Sequence, residues 1–261
     1  MELHLDGKVI AITGGSDGIG KAAALEFARE GCKISICGRN RDKLEEARTE
    51  LLNLGCEVYA HKADVTVVSE IQEFVTSTYK YFGGLDVWIN NAGATFPKPI
   101  LECTEDDWDY SCALNLKSVF FGSQFAMRNM IHSGTQGVIL NISTYATIIP
   151  AVGASIYAAT KSGINSLTRT FAAECAPYGI RVVSAAPGTT NTEMTYKSVD
   201  DTTKKALLDG IAARRFGEPE ESAYPIVFLA SDAARYVNGV FLEVSGGKFC
   251  VQNPSVAWML E

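Results

Sequence analysis

Short β-prone runs alternate with segments of helical spacing along almost the whole chain, and this alternation limits the fold more than any other feature. Val9–Thr13 is a mostly apolar run that ends at glycines, and residues 22–30 then recur with helical spacing until Gly31 stops them. The exchange continues with strands expected at residues 33–37, 57–63, 85–90, 137–142, 181–186 and near 240–244, and with helices at 43–54, 69–81, 106–132 and 157–176. Strands joined through helices pair in parallel, and a parallel sheet needs cover on both faces. The expected fold class is α/β, a doubly wound parallel sheet in a three-layer αβα arrangement. No low-complexity linker or internal repeat interrupts the series, so residues 1–261 are expected to form a single domain.

The net charge is -7 and no Lys/Arg-rich run occurs, which leaves no footprint for nucleic acid. A phosphate-bearing cofactor must then be held locally. Seven cysteines (Cys32, Cys37, Cys56, Cys103, Cys112, Cys175 and Cys250) are odd in number and lack metal-ligand spacing. They read as reduced thiols, with no metal site. No stretch has the length of a signal core or a membrane span, so a soluble, cytoplasmic protein without a membrane partner is expected.

The segment Thr13-Gly14-Gly15-Ser16-Asp17-Gly18-Ile19-Gly20 lies between the first strand and the first helix. Backbone N–H groups and a helix N-terminus at that place can hold a pyrophosphate, as in Rossmann-type folds. Gly14 and Gly18 would allow close approach. The spacing TGxxxGxG departs by one residue from GxGxxG, and three glycines in a turn are weak evidence by themselves.

Three further motifs follow in order: Asn90-Asn91-Ala92-Gly93 after the fourth strand, Tyr157-x-x-x-Lys161, and Pro187-Gly188. Together with TGxxxGIG they resemble the short-chain dehydrogenase/reductase pattern over nearly the whole chain, from Gly7 to Gly247. The resemblance implies an NAD(P)-dependent oxidoreductase that interconverts a secondary alcohol and a ketone. It also implies cofactor contacts from Gly14, Ser16, Asp17, Gly18, Ile19 and Gly20. Asp64, beside Val65, would accept from the adenine amine. Asn91, Ala92 and Gly93 would pass beneath the nicotinamide ribose, and Pro187, Gly188, Thr190 and Thr192 would orient the carboxamide.

Cofactor choice turns on the end of the second strand, Cys37-Gly38-Arg39-Asn40. An acid there accepts from the ribose 2′-OH, whereas an arginine pairs with a 2′-phosphate. Gly38 stands where NAD-preferring relatives usually carry Asp, and Arg39 offers a fork matched to phosphate oxygens, so NADP(H) is favoured over NAD(H). Asp17 argues the other way, because an acid before the second motif glycine repels that phosphate.

Carbonyl reduction needs a proton donor for the developing alkoxide and a second donor that fixes the oxygen. Tyr157 is the expected acid/base. A free tyrosine is only about 0.1% phenolate at neutral pH, and Lys161, one helical turn on, would favour the anion and bond the ribose hydroxyls. By the resemblance the oxygen-fixing hydroxyl lies thirteen residues before the tyrosine. That residue is Thr144 where many relatives have Ser, with Ser143 as the fallback. Asn115 matches the asparagine that kinks its helix and holds a water against the lysine. His132 sits at a helix end and receives no role.

The expected substrate walls are Thr95, Phe96, Tyr145, Ile149, Ala151, Gly188, Met194 and Tyr196, with Tyr145 and Met194 foremost. This apolar set suits a compact alcohol or ketone. Segments around residues 141–144, 180–183 and 190–195 look like bacterial hydroxysteroid dehydrogenases; 3-oxoacyl carrier-protein reductases and polyol dehydrogenases are the alternatives. The polar stretch 189–214 reads as a mobile lid, with a surface helix pair as the plain alternative. The tail 248–261 carries an apolar cluster expected to pack on its own core or on a neighbour. The resemblance implies a homotetramer built on the helices of Asn115 and Tyr157. A non-catalytic NADP(H)-sensing protein is the rival of a different class, and the intact tyrosine, lysine, asparagine and hydroxyl weigh against it.

Overall fold

A computed structural model describes residues 2–198, 201–248 and 250–259, together with their side chains except those of residues 196–198, 201 and 202. Seven strands form one sheet: β1 (Val9–Thr13), β2 (Lys33–Gly38), β3 (Val58–Lys62), β4 (Val87–Asn90), β5 (Val138–Ile142), β6 (Arg181–Pro187) and β7 (Phe241–Val244). They lie in the order β3-β2-β1-β4-β5-β6-β7, all parallel. The order reverses between β1 and β4, and in such sheets a crevice opens at the strands' carboxyl ends beside that point.

Period-two alternation along the strands divides the core into two layers. Ile10, Ile12, Ile34 and Ile36 face α1 (Gly18–Arg29) and α2 (Arg41–Asn53), with Phe27 and Leu51 buried among them. Ala11, Trp88 and Ile139 face the other way, toward α3 (Val68–Phe82), with Phe74 and Met130. These residues are almost wholly buried, and each large apolar side chain so enclosed stabilises the fold by about 1.5–3 kcal/mol.

The helix expected over residues 106–132 is not continuous. It runs as α4 (Glu105–Cys112), a wide π turn at Ala113–Lys117, and α5 (Ser118–Ser133). Thr104 and Asp107 close a reciprocal capping box at its start. Helix α6 (Ser155–Cys175) begins two residues earlier than its periodicity suggests. Residues 189–214 contain α7 (Glu193–Ser198) and α8 (Asp201–Asp209). Helix α9 (Pro219–Ala230) packs on α1 and was missed by the periodicity, because it is apolar on most sides and carries Pro225. Its start was signalled all the same by Pro219 and by Glu221 closing a box with Glu218.

A buried polar chain ties the middle of the sheet to its helices. Asn90 Nδ2 donates to Ser123 Oγ and to Asn141 Oδ1, and Asn141 Nδ2 donates to Thr168 Oγ1 on α6. All four residues are buried, so each bond fixes a partner that would otherwise be costly to enclose. The network holds α6 in register against β5. Among the described residues no helix is long and apolar enough to cross a membrane, and no cluster of metal-ligating side chains occurs.

Candidate active site

The carboxyl ends of β1 to β6 open into one cavity of about 850 Å³. Its first wall is the turn after β1. Gly14 and Gly18 take left-handed backbone, φ +64° and +52°, which side chains disfavour. Thr13 Oγ1 accepts from the amides of Asn91 and Ala92, and Asn91 Nδ2 donates to the carbonyls of Thr13 and Gly14. These bonds join the ends of β1 and β4 into a single floor. Gly14, Ser16, Asp17, Gly18, Ile19, Asn91, Ala92 and Gly93 all line the cavity.

Gly20 does not line it. A Cβ there would stand 2.3 Å from Asn91 Nδ2 and from the Gly14 carbonyl, so this glycine serves packing of α1 on the floor. Ala63 and Val65 face the cavity, and Asp64 between them accepts on Oδ1 from the amide and hydroxyl of Thr66. Its short side chain is captured by its own turn.

Arg39 faces the cavity but donates to the Tyr110 hydroxyl at 2.9 Å and lies 3.8 Å from Asp64. Lys43 was missed in the sequence. Its ammonium bonds Asp17 at 2.5 Å and also Glu193, so it spans the β1 turn, α2 and α7. These bonds raise its pKa, Asp17 contributing most. A signal existed, since a lysine in the first turn of a helix opposes the helix dipole and implies an anion nearby.

The far end of the cavity gathers the expected catalytic side chains. Thr144 caps a short turn after β5, accepting from Ala146 N, and its side chain favours the Tyr157 phenolate. Ser143, the fallback, has a buried hydroxyl without a hydrogen-bond partner. Lys161 is buried, donates to the Ile142 carbonyl at 2.7 Å, and stands 5.9 Å from the centre of the Tyr157 ring. Burial pushes the Tyr157 hydroxyl up to about 12, against the effect of Thr144, and pushes Lys161 down to about 8. The expected lowering of the tyrosine by the lysine is therefore not present in the protein alone, because desolvation outweighs it and the ammonium is turned to Ile142.

Asn115 sits in the π turn, a frequent mark of functional helices. Its side chain pairs with the backbone of Ala94, accepting from N and donating to O, each at 3.0 Å. Gly93 fills the gap beside it: a Cβ there would lie 2.8 Å from Asn115 Oδ1 and 3.2 Å from Lys161 Nζ.

The family described as short chain dehydrogenase matches residues 8–203 of the chain. The chain belongs to this family. The dehydrogenase is 38% identical over 245 residues to the 3-oxoacyl-(acyl-carrier-protein) reductase of Thermotoga maritima, covering 94% of this chain and 99% of that one. It is 38% identical over 244 residues to the 2-dehydro-3-deoxy-D-gluconate 5-dehydrogenase of Escherichia coli, covering 93% and 96%. The crystal structure of levodione reductase superposes with a TM-score of 0.88 at 33% identity, over 92% of this chain and 96% of that one. The dehydrogenase is thus an oxidoreductase acting on CH–OH groups with NAD(P).

Of the expected substrate walls, Thr95, Tyr145, Ala151, Gly188 and Met194 line the main cavity, with Pro187, Thr190 and Thr192. Phe96, its ring tilted against that of Tyr110, faces a second cavity of about 260 Å³, which Tyr157 also lines. Ile149 lines neither cavity, and the Tyr196 side chain lies outside the described residues. Thr189, Glu193 and Leu207 are lining residues that the sequence reading did not single out.

Proposed function

We propose that this dehydrogenase interconverts a compact secondary alcohol and its ketone, with Tyr157 as acid/base and NADP(H) preferred over NAD(H). The observation that carries the reading is the meeting of Thr144, Tyr157 and Lys161 at one end of a cavity whose other end is walled by glycines. A dinucleotide fits that shape: Gly14, Gly18 and Gly93 keep the floor bare, and a Cβ on Gly188 would strike Ser245 at 2.7 Å. When bound, it supplies hydride donation or acceptance.

Gly14, Ser16, Asp17, Gly18 and Ile19 bind the pyrophosphate; Gly20 acts through packing. Asp64, beside Val65, accepts from the adenine amine on the oxygen that Thr66 leaves free. Arg39, with Lys43 near it, receives the 2′-phosphate. Asn91, Ala92 and Gly93 run beneath the nicotinamide ribose, while Pro187, Gly188, Thr190 and Thr192 hold the carboxamide. Thr144 donates to the substrate oxygen. Tyr157 would give its proton to that oxygen in reduction and take it back in oxidation, while the bound dinucleotide would supply or accept the hydride. Lys161 holds the ribose and steadies the phenolate, and Asn115 fixes the Ala94 backbone and the proton path to the lysine.

Tyr145 and Met194 bound the substrate. Residues 189–214 serve as its lid and the tail 248–261 as a strap, all within one domain of residues 1–261. Among the three substrate classes set out from the sequence, the 3-oxoacyl reductase and the sugar-acid dehydrogenase named above favour the non-steroid pair. A homotetramer is supported by exposed Trp108, Phe120 and Ile131 on α4 and α5, and a cytoplasmic setting by seven free thiols.

The test is oxidation of NADPH, then NADH, against cyclic diketones, short 3-oxoacyl thioesters, 5-keto sugar acids and ketosteroids. Faster oxidation of NADPH by one ketone is expected. Dinucleotide binding with no turnover across the panel would overturn the reading and favour a sensor.

A further inference from the structure

A buried ammonium outside the catalytic group stands directly behind the substrate side of the cavity. Lys248 follows Gly246 and Gly247, both in left-handed backbone, and is only 3% exposed. Enclosing a lysine is costly unless its charge meets defined partners. Lys248 Nζ donates to the Leu207 carbonyl at 2.7 Å, in the last turn of α8, where the helix dipole favours a cation. It also lies 5.8 Å from the centre of the Tyr145 ring, within the range of a cation–π contact.

Both partners face the cavity, and so does Thr189, whose side chain favours the Tyr145 phenolate. The backbone around Lys248 is pinned to the same segment. Lys248 pairs antiparallel with Ile211, and Ala213 N donates to the Gly246 carbonyl at 3.0 Å. Farther along the tail, Trp258 Nε1 donates to the Ala212 carbonyl at 2.8 Å. One side chain therefore joins the tail, α8 and the Tyr145 wall, and none of these contacts reaches the glycine floor.

We infer that Lys248 is a positioning residue for the substrate, tying α8 and Tyr145 to the C-terminal strap and so setting the shape of the substrate end. The inference rests on the proposed reaction, in which Tyr145 and Leu207 are substrate-side walls. An apolar residue at position 248 would fill the space yet leave the α8 carbonyl and the Tyr145 ring without their shared cation.

The test uses the full chain with Lys248→Met and Lys248→Arg. Kinetics with the wild type's ketone, dinucleotide affinity, and amide hydrogen exchange at residues 207–213 are each measured. Lys248→Met is expected to raise KM roughly tenfold or more with dinucleotide affinity changed less than about twofold, and to speed exchange at 207–213 roughly tenfold. Lys248→Arg is expected to restore both within about threefold. Unchanged KM and exchange in Lys248→Met would overturn the inference. So would a parallel loss of dinucleotide affinity, or an arginine variant no better than methionine. Should Lys248→Met fail to fold, Lys248→Gln carries the same measurements. A wild type that reduces no ketone overturns the reaction instead, and exchange at 207–213 still decides the role of Lys248.

Discussion

Thr144, just past β5, and Tyr157, in the first turn of α6, line the same end of the cavity, and the Thr144 side chain favours the Tyr157 phenolate. Two hydroxyls side by side let one fix an oxygen while the other moves its proton. Thr144→Val keeps the volume and removes the donor, so kcat is expected to fall about 10²–10³-fold. Thr144→Ser keeps the donor and is expected to stay within about tenfold of the wild type. Steady-state rates with saturating dinucleotide check both; a valine variant of unchanged kcat would contradict the role.

Gly93 leaves room for two functional side chains at once. In Gly93→Ala the new Cβ would press on Asn115 Oδ1, which is tied to the Ala94 backbone, and on Lys161 Nζ. Overpacking of this kind costs about 1–3 kcal/mol, and a lower melting temperature is expected. A fall in kcat of at least about tenfold is expected with it, since the lysine is displaced. Thermal unfolding and turnover of the purified variant check both.

The layered fold was legible because strand and helix periods alternate cleanly from Val9 to Pro187. Two helices resisted. The π turn around Asn115 keeps helical spacing in the sequence, so periodicity runs straight through it and only the resemblance, with its helix-kinking asparagine, points to the break. Helix α9 hides behind a proline and an apolar surface without a polar face. At the site, residues read from backbone needs, such as Gly14, Gly18 and Asn91, fall on the cavity. Long-range side-chain choices were not legible: Arg39 turns to Tyr110, and Lys43 links Asp17 to Glu193 across 26 and 150 residues.

Arg39 offers a switch of cofactor. Arg39→Asp places a carboxylate where a 2′-phosphate is repelled and a 2′-OH accepted. The KM for NADPH is expected to rise about 100-fold while that for NADH falls. Lys43→Met is expected to weaken NADPH about tenfold and leave NADH within about twofold. Equal weakening of both dinucleotides by Lys43→Met would assign the lysine to holding α7 rather than to the phosphate.

The buried ammonium of Lys161 gives a pH signature. Burial lowers its pKa from 10.5 to about 8, so below pH 8 both folded and unfolded chains hold the proton and the folded state carries the full desolvation cost. That cost is on the order of 3 kcal/mol. Between pH 8 and 10.5 the unfolded chain holds more protons, and stability rises with pH through this group. Lys161→Met is therefore expected to gain most over the wild type at pH 7 and to lose that advantage by pH 10. Urea unfolding at the two pH values checks it; a constant difference would contradict the sign.

The most direct measurement is turnover and dinucleotide binding by Tyr157→Phe, which removes one oxygen from a side chain already packed at the end of the cavity. NADPH binding within about twofold of the wild type and a loss of turnover of about 10³-fold or more are the expected result. A phenylalanine variant that still reduces the ketone within about tenfold of the wild type would contradict Tyr157 as the acid/base.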